Sequence, residues 1–154
     1  SLINPGSNYR VFDDILKYVY DAGEGTGEKE EVGHQQNYKM GVLMGIMTVE
    51  SINKATEKYG NKPMSGEQVR WGIENLDLNK ARLQEMGIDG FIPTFKVSCS
   101  DHEGSAPVKF QKWNGKEFEP ASDWIATDQS IVRPMIEASA SGYAKEKGIT
   151  PGCN

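Results

Sequence analysis

Three consecutive side chains, Asp101, His102 and Glu103, put two carboxylates and an imidazole in one place, with Cys99 two residues ahead of them. These are the donor types of a zinc hydrolase, in which three protein ligands leave a fourth position open for water. Their spacing argues against that chemistry. Side chains alternate faces along extended chain, so three neighbours cannot converge on one ion. The second histidine, His34, brings no HExxH-like pattern with it. Asp101 and Ser100 are expected instead to bond backbone in a turn that ends at Gly104, with His102 completing a hydrogen bond nearby. Cys99 has only His102 as a local base and sits in no nucleophile elbow. Gly23, Gly25 and Gly27 do not link a strand to a helix, so they form no phosphate-cradling loop. The expectation is a binding protein with no enzyme activity, no metal and no cofactor. The alternative is a small metal-dependent hydrolase using Asp101, His102 and Glu103.

The best candidate for ligand contact is His34-Gln-Gln-Asn-Tyr38, a polar and aromatic cluster just ahead of a strongly apolar run. There the Tyr38 ring can pack while its hydroxyl bonds outward. Helix N-termini also attract anions such as a carboxylate. An equally weighted reading makes Tyr38 a cap on the core.

These residues must be positioned by a chain of 154 residues, long enough for one domain with a core of its own. Its 37% hydrophobic and 25% charged residues mark a folded protein rather than a disordered one. A net charge of -5 with no basic run argues against nucleic acid as a partner. No stretch approaches the roughly 18–20 apolar residues of a membrane-crossing helix. Ser1-Leu-Ile-Asn-Pro-Gly6 reads as the tail of a strand breaking into a turn, and the chain is expected to be a piece of something longer. The two cysteines, Cys99 and Cys153, would be free thiols in a reducing compartment and could pair in an oxidising one.

Apolar spacing predicts a helix over residues 9–21, carrying Val11, Phe12, Ile15, Leu16, Val19 and Tyr20, capped by Ser7 or Asn8. A second helix is predicted from Tyr38 to Tyr59. Its Met40–Val49 portion is apolar all round and should therefore be buried on every side, with Gly41 and Gly45 admitting a neighbouring backbone. Ser65-Gly-Glu-Gln68 is a capping box for a third helix. Asn79 caps a short helix ending at Gly87. Ile88 to Val97 is extended or looping chain, with Pro93 excluding a central sheet position. Asn114-Gly115 predicts a tight hairpin. Asp128 caps a last helix, Gln129 to Lys147, with Pro134 tolerated near its start and Gly148 ending it.

Three blocks together resemble the C-terminal part of the type 1 periplasmic solute-binding proteins: Tyr38-Lys-Met-Gly-Val-Leu-Met-Gly-Ile-Met-Thr-Val-Glu-Ser-Ile52, Ser65-Gly-Glu-Gln-Val-Arg-Trp-Gly-Ile-Glu-Asn-Leu76, and Ser98-Cys-Ser-Asp-His-Glu-Gly104 with Gln111-Lys-Trp-Asn-Gly115. The group resembled is the branched-chain amino acid (Leu/Ile/Val-type) receptors of ABC transporters. That resemblance implies an α/β fold: residues 1–105 would be the returning portion of a first lobe, and 106–154 a crossover ribbon and C-terminal helix. It implies an extracytoplasmic, periplasmic component that captures a small solute, such as a branched-chain or related amino acid, an amide or an aromatic acid. The solute would pass to a membrane permease after hinge closure. Tyr38 is the one ligand contact it places in this chain. It also places the chain where a Cys99–Cys153 disulfide could persist. The covering strands for the apolar helix would lie upstream, so the fragment should pair with another copy or with the missing half.

Overall fold

The computed structural model describes residues 3, 6, 8–105, 107–150 and 152–153. Asn4, Pro5 and Ser7, which carry the expected opening turn and one of its two caps, lie outside them, as does Ala106 at the expected division of the chain. Among the described residues, five α-helices and four short strands follow in the order α1 (Arg10–Ile15), α2 (Gln36–Tyr59), α3 (Gly66–Ile73), β1 (Asp77–Leu78), α4 (Lys80–Glu85), β2 (Phe95–Lys96), β3 (Gln111–Trp113), β4 (Phe118–Pro120) and α5 (Gln129–Lys147). The strands form two two-stranded antiparallel sheets, β1 with β2 and β3 with β4. The fold is mixed helix and strand, consistent with the expected α/β class, and among the described residues it contains no parallel sheet.

Helix α1 starts at Tyr9, whose side chain makes no capping bond, so the expected cap at Asn8 is not realised. Beyond Ile15 the helix widens into a π turn over Leu16–Tyr20, with Asp21 N–H reaching Leu16 O at 2.9 Å. The widening turns Phe12 into the core while Tyr18 and Val19 face outward. Phe12 meets Phe91 edge-on at 5.4 Å, and Tyr9 stacks beside both rings. Around this aromatic trio lie Ile3, Val32, Leu43, Leu78, Leu83, Ile88 and Ile92. Gly33 leads the chain into α2 at φ +75°, where a side chain would strike the Phe12 ring.

Helix α2 is the spine, and small residues decide how α3 lies against it. Ala55 is fully buried, and Ser51 is buried with its hydroxyl donating back to Met47 O at 2.6 Å. Gly72 of α3 packs on this patch so closely that a Cβ there would collide with Ser51 O and stand 3.2 Å from Ala55 N. The close-approach glycine is therefore Gly72. Gly41 and Gly45 have nothing within 4 Å of where a Cβ would sit, so the expected backbone approach at those two does not occur within this chain. The expectation of burial on every side needs the same correction. Leu43 is buried and Val42, Ile46 and Met47 are half-buried, but Met44 is 59% exposed and Val49 55%. The elements present here cover one side of α2.

The predicted caps fall where their chemistry requires. Ser65 and Gln68 form the reciprocal capping box, Asn79 Oδ1 accepts from Arg82 N–H, and Asp128 Oδ1 accepts from Ser130 N–H. Gly87 and Gly148 close their helices at positive φ. The hairpin is looser than a two-residue turn. Trp113 and Phe118 are the last pair, and Asn114 Oδ1 accepts from both Lys116 and Glu117 N–H across a longer loop. Asn114 N–H also donates to Glu117 O at 3.1 Å, so its backbone and side chain together close the loop.

Arg82 of α4 clamps α2 with a two-pronged bond to Glu50, at 2.7 and 2.6 Å. The Arg82 hydrogen bond, opposed by burial, holds the Glu50 carboxyl below its usual range.

Two stability predictions follow from this packing. Gly72→Ala should cost about 1–3 kcal/mol by forcing α3 away from α2. Gly41→Ala, with open space around it, should be neutral or stabilise by about 0.5–1 kcal/mol. Chemical denaturation of the two variants checks the contrast. The second prediction concerns acid. Glu50's folded-state pKa is depressed, so its contribution is present above the unfolded carboxyl pKa and fades as pH falls through the folded value. Glu50→Gln should therefore lower stability at pH 7 by about 1.5–3 kcal/mol, and the variant and parent curves should converge as the pH is taken down through the acid range.

Candidate functional site

The loop over residues 98–104 is built by its own backbone. Ser98 and Asp101 exchange backbone hydrogen bonds at 2.9 and 3.0 Å, and Asp101 Oδ1 accepts from Gly104 N–H at 3.0 Å. Gly104 closes the turn at φ +63°, pressed against Lys96 O. Asp101 thus plays its expected part. Ser100 does so differently: its hydroxyl pairs with that of Ser98 at 3.2 Å, and its carbonyl accepts from Arg133.

Asp101, His102 and Glu103 fan out as strand-like neighbours must. Asp101 and Glu103 both face Arg133 of α5, at 2.9 and 3.6 Å, whereas His102 turns away to Glu74 at 3.3 Å. Among the described residues no group of three His, Cys, Asp or Glu side chains is placed to hold a metal ion. The hydrolase alternative loses its site here, because the carboxylates are engaged by a guanidinium and the imidazole points elsewhere. Arg133 was not foreseen. It lies on what reads as the outer face of an amphipathic helix, and nothing in its spacing points to a loop some thirty residues earlier.

Cys99 and Cys153 form a disulfide across a sequence separation of 54 residues, with Cα atoms 5.5 Å apart. A bridge closing a loop of that length contributes roughly 4 kcal/mol in the chain-entropy account. Helix α5 has no buried residue, and Met135 is 69% exposed. Its position rests on Arg133 and a Gln129 amide bond to Ser105 O near one end, and on the disulfide beyond the other. Glu137, one turn on, bonds the same guanidinium and raises its pKa, with Asp101 and Glu103 adding to the effect.

At the other candidate locus, Tyr38 sits in the first turn of α2, half-buried against the core. Burial raises its phenol pKa, and the neighbouring Tyr20 raises it further through charge and a hydrogen bond. Beyond it, Lys39 is buried at 4% exposure in the same turn. Its ammonium has no hydrogen-bond or ion-pair partner among the described residues, and burial lowers its pKa. Apolar spacing alone does not foretell this burial. The one signal for it was a lysine standing directly against the apolar run.

No family model and no curated relative matches the chain. A solved structure described as the crystal structure of an ABC transporter permease from the Pseudomonas fluorescens group matches it with a TM-score of 0.91 at 35% identity. The match takes in all of this chain. It covers 37% of that one. This finding overturns the expectation of a solute-capturing component, since the similar protein is described as a permease and not as a substrate-binding protein. It gives no support to the narrower branched-chain amino acid receptor resemblance. Among the described residues no helix is long and apolar enough to cross a membrane.

The anchoring of α5 makes a prediction. Reduction of the Cys99–Cys153 bond should release its C-terminal end, and Arg133→Ala in the reduced chain should free the helix altogether. Limited proteolysis should then cut within residues 129–147 several-fold faster than in the oxidised parent, while cleavage within α2 stays unchanged.

Proposed function

We propose that this chain is a segment of an ABC transporter component and serves it as a docking unit that crosses no membrane with its own helices. The observation that supports this is the likeness to the permease-described structure over the whole chain, at an identity high enough to carry more than fold. The greater part of that similar chain lies outside the match. Here, the apolar face left open on α2 and the apolar residues of α5 are surfaces for the remainder to cover. A groove beside α2, lined by Val11, Ile15, Val42, Ile46, Val49 and Met86, belongs to the same face.

Two finer points belong to this proposal. An extracytoplasmic location agrees with a disulfide that holds an otherwise weakly anchored helix, since such bonds persist in oxidising compartments. The C-terminal part of a periplasmic-binding-protein type 1 architecture is kept as a statement about fold alone, in which the uncovered side of α2 would rest on a sheet. The reading assigns no catalytic step to this chain.

Crosslinking in intact cells, followed by detergent extraction of the tagged full gene product, should recover it with the transmembrane and ATP-binding subunits of a transporter. Recovery free of both overturns the proposal. In sedimentation the 154-residue chain alone should self-associate, and Met44→Asp should shift it toward monomer. A monomer at every concentration would remove the docking face from the argument.

A further inference from the structure

We propose that Asn114 is a self-modification site, at which the folded ribbon drives loss of the side-chain amide as ammonia. The carboxamide closes a succinimide ring with Gly115, and water opens that ring to aspartate or isoaspartate. The inference is independent of the transporter reading, which rests on other faces of the chain. Asn114-Gly115 is the only Asn-Gly pair in the 154-residue sequence. Both residues are exposed to the water that the last step consumes.

The electrophile, the nucleophile and the leaving group are each prepared. Asn114 Oδ1 accepts from Lys116 N–H at 2.8 Å and from Glu117 N–H at 2.9 Å, which folds the side chain over the Gly115 peptide. Addition to Cγ puts negative charge on that same oxygen, where two donors already stand. The nucleophile is Gly115 N. Its N–H donates to no group among the described residues, so ring closure breaks no hydrogen bond there. Gly115 sits at φ +104° with nothing within 4 Å of where a Cβ would lie, leaving its peptide room to turn toward the side chain. The leaving nitrogen faces an acid–base group, because Asn114 Nδ2 donates to Glu119 Oε1 at 2.6 Å.

The atoms balance with water as the one co-reactant. The Gly115 N–Cγ bond forms and the Cγ–Nδ2 bond breaks. The Gly115 amide proton passes through solvent to the Glu119 carboxylate. Glu119 returns it to Nδ2, which is an amine once Cγ is tetrahedral and leaves as ammonia. Water then adds to either ring carbonyl, giving aspartate at one and isoaspartate at the other. In both products the donor that met Glu119 is lost and a carboxylate is left near it. Like charges across a strand pair are destabilising. The change therefore loosens the end of the ribbon, where the Trp113 and Phe118 rings lie 5.2 Å apart.

The test incubates the oxidised chain at neutral pH, folded and in guanidinium chloride, and follows residue 114 by peptide mass mapping and enzymatic isoaspartate methylation. The folded chain should convert Asn114 several-fold faster than the unfolded chain, because only the fold holds the reacting groups together. Glu119→Gln keeps an oxygen for Nδ2 but carries no proton. It should slow conversion several-fold in the folded chain and leave the unfolded rate unchanged. Asn114→Asp should be cut several-fold faster within residues 111–120 by limited proteolysis, with cleavage in α2 unchanged. The comparison of folded with unfolded parent needs no variant to fold. Conversion as fast in guanidinium chloride as in the folded chain, a folded rate untouched by Glu119→Gln, or a ribbon in Asn114→Asp as resistant as the parent's would each overturn the proposal.

Discussion

A helix that is apolar around its whole circumference must be covered on all sides, and the rest of this structure is arranged around how far α2 meets that demand. On its inner side the demand is met twice. Toward its N-terminal half, Leu43 joins Phe12, Phe91 and their neighbours in the main core. Toward its C-terminal half the contact partner is α3, and there the packing depends on absent side chains: Gly72 lets α3 come within backbone distance of Ser51 and Ala55. The two halves differ in kind. The first is held by large interlocking rings, which tolerate modest change in volume. The second is a close backbone approach, which tolerates none.

The outer side of α2 remains open, and that openness joins the fold to the functional reading. Gly41, Gly45, Met40 and Met44 form a small-residue and methionine surface with nothing on it. A free-standing protein would be expected to carry charge at such positions. In the proposed reading, a further part of the transporter component covers them, and that is the physical reason for their apolar character. The same face therefore explains both the sequence pattern and the failure of the expectation that α2 is buried all round.

Much of this was legible in the sequence wherever local chemistry decides the outcome. Ser65 with Gln68, Asn79, Asp128, Gly87 and Gly148 each satisfy backbone groups within a few residues, so their effects can be read without knowing what lies across the core. The hairpin at Asn114 was placed correctly, while its last strand pair, Trp113 with Phe118, leaves residues 114–117 as the loop that Asn114 closes with backbone and side chain. What could not be read was anything set by approach between distant segments. Gly72 looks like an ordinary helix glycine until Ser51 is placed beside it. Arg133 looks like solvated surface until the loop bearing Asp101 and Glu103 folds up to it. Lys39 escaped for a related reason: its burial is set by the folded arrangement around α2, and nothing in its own spacing signals it. The functional expectation failed differently. Motif order pointed to a receptor, whereas the similar structure is described as a permease, and no local chemistry in this chain distinguishes the two.

The placement of α5 shows what such long-range anchors can do without a core. Its apolar residues are largely exposed, so hydrophobic burial contributes little to its position within this chain. Its internal order rests on good caps at both ends. Its location rests on one guanidinium shared among three carboxylates and a carbonyl, on a Gln129 amide bond to Ser105 O, and on one covalent bond. The guanidinium and the covalent bond end on the same loop, residues 98–104, whose geometry is fixed by Asp101 and Gly104. Asp101 therefore serves two structures at once, accepting a backbone N–H within its loop and the Arg133 guanidinium from α5. Losing that carboxylate would loosen the turn and the helix docked on it together. The carboxylate pair that first suggested a reaction centre, with His102 turned away to Glu74, is better understood as a mounting point. Its chemistry is spent on holding a helix whose apolar side is offered outward.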